Sequence, residues 1–227
     1  MADSGGRIDW AGYATRWKAL HAGYDPDAAN LPVRAWLKLT YQMARGLARL
    51  GASPALVTII GLVVCLFVPA IAAQRGAWAI LSGGLVLVAG ILDGLDGAIA
   101  VLSRRVTRFG YVYDGVVDRV GEAAWLLAFW VVGTPGWLVA ITVCLVLLHE
   151  YLRMRAVAAG VASAAATLAE RPIRVLICAL GLALAGASGF VSGALAAGAG
   201  TLAVAIWLLL GAVGFLQLFA AVQRDLG

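Results

Sequence analysis

Long apolar segments separated by short polar ones make up most of the chain after residue 54. Six of these segments are long enough for helices of roughly 20 residues, the length that crosses a bilayer. They lie at about 55–73, 77–102, 111–133, 137–159, 172–190 and 198–221. Ser53 and Pro54 mark the start of the first segment, because Pro is favoured in the first turn of a helix. The pattern predicts an all-α integral membrane protein with six transmembrane helices.

The residues before the first apolar segment follow a different pattern. Between residues 33 and 50 the apolar side chains recur at helical spacing, and four basic side chains lie elsewhere around the helix. This predicts an amphipathic helix that lies in the interface over anionic membrane lipids. A similar stripe at 8–21 can form a second helix. The chain thus divides into a polar N-terminal cytoplasmic segment at 1–32, the amphipathic interfacial helix at 33–50 and a six-helix membrane domain at 51–224.

Composition and charge agree with a membrane protein and indicate its orientation. Of the 227 residues 63% are hydrophobic and 13% charged, which is more apolar surface than a soluble domain of this size can bury. Arg and Lys concentrate before the first segment, between the second and third, and between the fourth and fifth, while the other side carries Arg75. By the positive-inside rule both termini face the cytoplasm at the plasma membrane. Topology therefore explains the net charge of +5, and nucleic-acid binding is not expected.

Four carboxylates interrupt the apolar pattern where the second segment ends and the third begins. Asp93 and Asp96 are three residues apart, and Asp114 and Asp118 are four apart, so each pair lies on one helix face. A carboxylate in a membrane segment is costly unless it is paired, hydrated or bound to a metal. Oxygen ligands suit Mg²⁺ or Mn²⁺, and two such ions about 4 Å apart suit phosphoryl transfer. A cation transporter with Asp pairs along its pathway is the alternative from another class.

The spacing of these carboxylates resembles a family signature. The chain reads Asp93-x2-Asp96-Gly97-x2-Ala100 and then Gly110-x3-Asp114-x3-Asp118. This is similar to D-x2-D-G-x2-A-R-x8-G-x3-D-x3-D, the signature of the CDP-alcohol phosphotransferase (phosphatidyltransferase) family. Val101 stands where the family has Arg. That departure keeps a catalytically silent relative among the alternatives.

The resemblance implies an enzyme that moves the phosphatidyl group of CDP-diacylglycerol, or a similar CDP-linked donor, to an acceptor alcohol with release of CMP. It also implies a two-metal site with Mg²⁺ or Mn²⁺ and a homodimer. The implied metal ligands are Asp93, Asp96, Asp114 and Asp118, and Asp118 is also the implied general base. The implied nucleotide-binding residues are Pro54, Thr58, Gly97, Ala100 and Gly110. The small residues among them can instead serve helix packing.

The acceptor is indicated by likeness within the family. Stretches around 107–110 and 151–156 are similar to those of actinobacterial phosphatidylinositol-phosphate synthases, which implies an inositol phosphate acceptor. Arg153, Arg171 and Arg224 are then expected to bind the acceptor phosphate, for which a guanidinium is well shaped. The same three Arg can instead be ordinary cytoplasmic flanks, and glycerol phosphate is a competing acceptor.

Two further side chains follow from helical spacing. If the helix continues past Ala100, Arg104 and Arg105 both face roughly as residue 101 does, and one of them, with Arg105 the sharper candidate, is expected to supply the missing positive charge to the nucleotide donor. Glu122 lies three residues after Arg119, so it is expected to pair with Arg119 or to make a polar contact between subunits.

Overall fold

The computed structural model describes residues 8–20, 25–28, 31–161 and 171–226. Within these ranges the chain is helical and forms no strand. The helices are α1 (Trp10–Leu20), α2 (Leu31–Arg49), α3 (Pro54–Ala72), α4 (Ala77–Ser103), α5 (Arg108–Val131), α6 (Gly136–Ala158), α7 (Arg171–Gly189) and α8 (Gly193–Leu226). The predicted segment at 1–32 lies partly outside the described residues, while α2 corresponds to the helix predicted at 33–50.

Five helices are long and apolar enough to cross a membrane: α3, α4, α6, α7 and α8. The prediction of an all-α, multi-pass membrane protein is therefore confirmed. The helix α5 has 24 residues, but its N-terminal half carries several charged side chains and it is not among the five. Six membrane crossings thus stay a prediction.

The helix boundaries lie within a few residues of the predicted ones, except at both ends of α8. It begins at Gly193, five residues before the expected position at 198, and ends at Leu226, five residues after the expected position at 221. The Ser192 hydroxyl oxygen accepts a hydrogen bond from the backbone N–H of Leu195 at 3.1 Å. This N-cap starts the helix in an Ala- and Gly-rich stretch whose periodicity is weak.

The chain divides into two compact units, and the first comprises Met1–Gly61 and Ile91–Gly115. Its core joins α1 to α2 and α4 through buried apolar and aromatic side chains: Tyr13, Tyr41, Ala44, Val57, Leu95, Ala98, Ile99 and Val101. Tyr13 is fully buried, and its ring centroid is 5.1 Å from that of Tyr41. The Tyr41 hydroxyl donates a hydrogen bond to the Ile8 carbonyl at 3.0 Å. The helix α1 is therefore an integral part of this unit.

Val101 belongs to this core and is only 4% exposed. A guanidinium at this position would be buried among aliphatic and aromatic side chains, at a high desolvation cost unless it were paired. The core around α1 thus gives a physical reason for the apolar residue in the signature.

The helix α4 ends two residues after Val101, at Ser103. Arg104 has a left-handed backbone conformation with φ of 56°, and the N–H of Arg105 donates to the Ala100 carbonyl at 3.0 Å. Together these features form a Schellman C-cap. Helical periodicity therefore does not place Arg105 on the face of residue 101, which was the condition for its predicted role. A donor contact from Arg105 stays a prediction without that support.

The second unit comprises Leu62–Gly90 and Val116–Gly227. Its core includes three large side chains that are almost fully buried: Trp125, Phe129 and Trp207. Glycines let its helices approach closely. A Cβ on Gly83 of α4 would lie 2.5 Å from the Ala179 carbonyl oxygen of α7. Helices in membranes commonly pack through small residues in this way.

Replacing Arg104 by Gly is expected to stabilise the protein by about 1 kcal/mol, because Gly adopts the left-handed conformation without the Cβ clash. The melting temperature of the purified protein in detergent should rise. Arg105→Gly is the matched control, since Arg105 does not have a positive φ, and it should give no gain. Equal melting temperatures for wild type and Arg104→Gly would contradict the expectation.

Candidate active site

The carboxylate of Asp96 is held by neutral hydrogen-bond donors in the first unit. Thr58 donates its hydroxyl to Asp96 Oδ2 at 2.6 Å, and Asp96 Oδ1 accepts from the backbone N–H of Gly97 at 2.6 Å. Asp96 is 5% exposed and Thr58 is 8% exposed. Thr58 lies one turn after Pro54, the first residue of α3. The structure thus brings two residues of the predicted site, 38 positions apart in sequence, into direct contact.

The start of α5 is fixed by an N-cap. The Thr107 hydroxyl oxygen accepts a hydrogen bond from the backbone N–H of Gly110 at 2.9 Å. A Cβ on Gly110 would lie only 3.0 Å from that oxygen. The cap accounts for the small residue at this position and sets the orientation of the helix that carries Asp114 one turn later.

Two of the four predicted metal ligands lie close enough within the first unit to share an ion. One carboxylate oxygen of Asp93 and one of Asp114 lie within 4.8 Å of each other. Asp114 and Asp118 are one turn apart on α5, as their spacing predicted. Carboxylate oxygens are preferred ligands of Mg²⁺ and Mn²⁺, so the donor set fits either ion. The roles of Asp96 and Asp118 as ligands stay predictions.

Gly97 leaves open space beside these carboxylates. A Cβ built on Gly97 would meet no described atom within 4 Å, although on the same helix a Cβ on Gly94 would lie 3.3 Å from Cγ2 of Thr40. Packing within the described chain therefore favours a small residue at Gly94, but it does not require one at Gly97. The open space supports the predicted approach of a ligand at Gly97, whereas the carbonyl of Ala100 is used by the C-cap of α4.

In the second unit, Asp118 forms an ion pair with Arg171, the first residue of α7. The two other predicted phosphate ligands lie on different helices. Arg153 is half-buried on α6, and Arg224 is exposed on α8, where its Nε donates to the Ala220 carbonyl at 3.3 Å. The convergence of the three guanidinium groups on one phosphate stays a prediction.

A buried group of charges beside Asp118 was only partly predicted. Glu122 is fully buried, and its Oε1 accepts from Nη2 of Arg119 at 3.3 Å, which confirms the expected pair. Its Oε2 accepts from Nη1 of Arg174 at 3.1 Å, and Nη1 of Arg119 also donates to Glu150 at 3.3 Å. Sequence spacing indicated the first contact. Arg174 and Glu150 lie on other helices, 52 residues from Glu122 and 31 from Arg119, so no local pattern pointed to them.

Comparison with known proteins gives a consistent result. A sequence profile described as CDP-alcohol phosphatidyltransferase matches residues 52–216. The phosphatidylinositol phosphate synthase of Mycolicibacterium smegmatis is 33% identical over 210 residues, covering 85% of this chain and 87% of the relative. The archaetidylinositol phosphate synthase of Pyrococcus horikoshii is 33% identical over 137 residues, covering 60% of this chain and 72% of the relative.

Solved structures of the Mycobacterium tuberculosis phosphatidylinositol phosphate synthase have a similar fold. The structure with CDP-DAG bound has a TM-score of 0.64 and 25% identity, covering 82% of this chain and 94% of the other. The complex with manganese and citrate has a TM-score of 0.66 and 24% identity, covering 81% and 88%.

Replacing Thr58 by Val should weaken Mn²⁺ binding roughly tenfold to hundredfold, the usual effect of removing a hydrogen-bond partner of a metal-site carboxylate. Titration followed by electron paramagnetic resonance of free Mn²⁺ measures this. Thr58→Ser keeps the hydroxyl and should bind as wild type, while Asp93→Asn should lose a ligand. Wild-type affinity in Thr58→Val would show that the contact with Asp96 does not support the metal site.

Proposed function

Because the chain belongs to the CDP-alcohol phosphatidyltransferase family, we propose that it transfers the phosphatidyl group of CDP-diacylglycerol to an inositol phosphate and releases CMP. The observation that carries the choice of acceptor is the ion pair between Arg171 and Asp118. It joins a guanidinium suited to phosphate with the carboxylate that stands at the position of the general base.

The donor and acceptor are supported by the relatives. A related structure holds CDP-DAG, and several relatives at 33% identity or more are phosphatidylinositol phosphate synthases. The distribution of Arg and Lys supports an orientation with the site and both termini facing the cytoplasm, and a plasma-membrane location is part of the same proposal. A homodimer is part of the same proposal.

In the proposed reaction an acceptor hydroxyl attacks the phosphorus of the phosphatidyl group. A bond forms between the acceptor oxygen and this phosphorus, and the bond from the phosphorus to the bridging oxygen of the diphosphate breaks. CMP leaves with the bridging oxygen. Asp118 takes the hydroxyl proton, since general-base transfer to a positioned carboxylate lowers the barrier. Thr58 orients Asp96, and Gly97 leaves room for the nucleotide.

Asp93, Asp96 and Asp114, with Asp118, would hold the divalent ions. Mg²⁺ or Mn²⁺ bound there supplies charge stabilisation to the phosphate oxygens during transfer. Arg171 binds the phosphate of the acceptor, and Arg153 and Arg224 complete that anion site. A planar guanidinium can make two parallel hydrogen bonds to phosphate, which favours a phosphorylated acceptor over a neutral polyol.

Asp118→Asn should lower the rate of CMP release by at least about 10²-fold, because an amide cannot accept the proton. Binding of CDP in the presence of Mn²⁺, measured by calorimetry, should change much less. Asp225→Asn is the matched control, because Asp225 is an exposed carboxylate on α8. Wild-type turnover in Asp118→Asn would remove this residue from the base role.

The acceptor is tested by mass detection of the lipid product in nanodiscs that contain CDP-diacylglycerol. Inositol phosphate should be used far better than inositol, and better than glycerol phosphate. Arg171→Gln should raise the KM for inositol phosphate by roughly 10- to 150-fold, which corresponds to about 1.5–3 kcal/mol for a charged hydrogen bond.

The control for the acceptor test is Arg155→Gln, an exposed arginine in the last turn of α6. It should leave the KM unchanged. Equal use of inositol and inositol phosphate by the wild-type protein would refute the phosphorylated acceptor. Preferred use of glycerol phosphate would keep the transferase and replace its acceptor.

A further inference from the structure

Two ion pairs connect α5 and α7 in the second unit. Asp118 pairs with Arg171, and one turn further along both helices Glu122 pairs with Arg174. We call the first pair the outer rung and the second the inner rung. Since residue numbers increase together in the two rungs, they form a ladder between helices in parallel register.

The two rungs differ in burial and in the number of partners. The inner carboxylate, Glu122, has 0% side-chain exposure, and each of its oxygens accepts from a different guanidinium. The outer carboxylate, Asp118, is 17% exposed, whereas the two arginines differ little, with Arg171 16% and Arg174 12% exposed. Removing one partner from a buried pair leaves an uncompensated charge, which is strongly unfavourable. The inner rung is therefore the fixed one, and the outer rung is the one that solutes can reach.

Arg119 extends the inner rung to a third helix. It contacts Glu122 at 3.3 Å and Glu150 of α6 at 3.3 Å, and its Nη2 lies 3.9 Å from Asp118. The whole group contains three arginines (Arg119, Arg171 and Arg174) and three carboxylates (Asp118, Glu122 and Glu150). The charges balance in number, so the inner members stay compensated by one another if the outer rung opens.

We propose that Glu122 and Arg174 are positioning residues of the transferase: the inner rung keeps α5 and α7 in register while Arg171 moves from Asp118 to the acceptor phosphate. This inference rests on the proposed function. The inner rung thus keeps the Asp118 carboxylate and the phosphate-binding Arg171 at a fixed separation along the two helices.

The test separates positioning from folding by removing both charges of the inner rung together. In Glu122→Leu/Arg174→Met two apolar side chains of similar size replace the buried pair, a change that is often neutral or stabilising for a fold. Arg119 keeps Glu150 as a partner. The single variant Glu122→Leu leaves Arg174 uncompensated and should lower the melting temperature, whereas the double variant should recover it. Arg155→Met is the exposed control.

The double variant is expected to elute as wild type and to bind CDP with Mn²⁺ as wild type. Its kcat/KM for inositol phosphate should fall roughly 10²-fold, the scale of a misplacement of about 1 Å at a reacting group. The KM for the acceptor should rise, and the KM for CDP-diacylglycerol should not. The single variant Arg174→Lys keeps both charges of the inner rung and should retain most of the wild-type kcat/KM.

Wild-type kcat/KM in a folded double variant would overturn the inference and leave the transferase in place. If the double variant does not fold, Glu122→Gln decides, because it is isosteric and removes the charge: an unchanged acceptor KM would overturn the inference, and a raised one would support it. Equal losses in the KM for donor and acceptor would also overturn it, since they indicate general damage. A wild-type protein that releases no CMP with any acceptor would overturn the proposed function and this inference with it.

Discussion

The compensation of charge among apolar helices is the constraint on which the structure depends. A carboxylate or guanidinium removed from water needs a partner of opposite charge, several hydrogen bonds or a metal ion. Among the long apolar helices, the chain concentrates such groups near the end of α4, the first half of α5, the end of α6 and the start of α7. Helix packing and chemistry therefore depend on the same short segments of the chain.

The two units meet this constraint in different ways. In the first unit Asp96 is held by the neutral hydroxyl of Thr58 and a backbone N–H. Neutral donors fix the direction of a carboxylate but leave its negative charge to attract a cation. In the second unit Glu122 is neutralised by Arg119 and Arg174, so it has no charge left for a ligand. In the proposed enzyme, metal binding and helix packing thus depend on different carboxylates.

Much of the fold follows from the sequence because helix-length apolar segments leave few alternatives in a bilayer. The helix bounds and the pairing of Arg119 with Glu122 depend on local periodicity, and they were predictable. The contact of Thr58 with Asp96 was not predicted, because the family resemblance placed both residues in the site without pairing them. The inner rung depends on residues from separate helices, and the end of α4 depends on one left-handed residue, Arg104. Sequence spacing predicts neither the inner rung nor the end of α4, because both depend on how the helices pack in three dimensions.

The turn between α4 and α5 is closed at each end by bonds that involve the backbone. The N–H of Arg105 bonds the Ala100 carbonyl, and the N–H of Gly110 bonds the Thr107 hydroxyl. The side chains of Arg104, Arg105 and Val106 are exposed and take no part in those bonds. Substitutions at Arg105 and Val106 can therefore accumulate without altering the backbone bonds at either end of the turn, whereas position 104 favours residues that adopt the left-handed conformation.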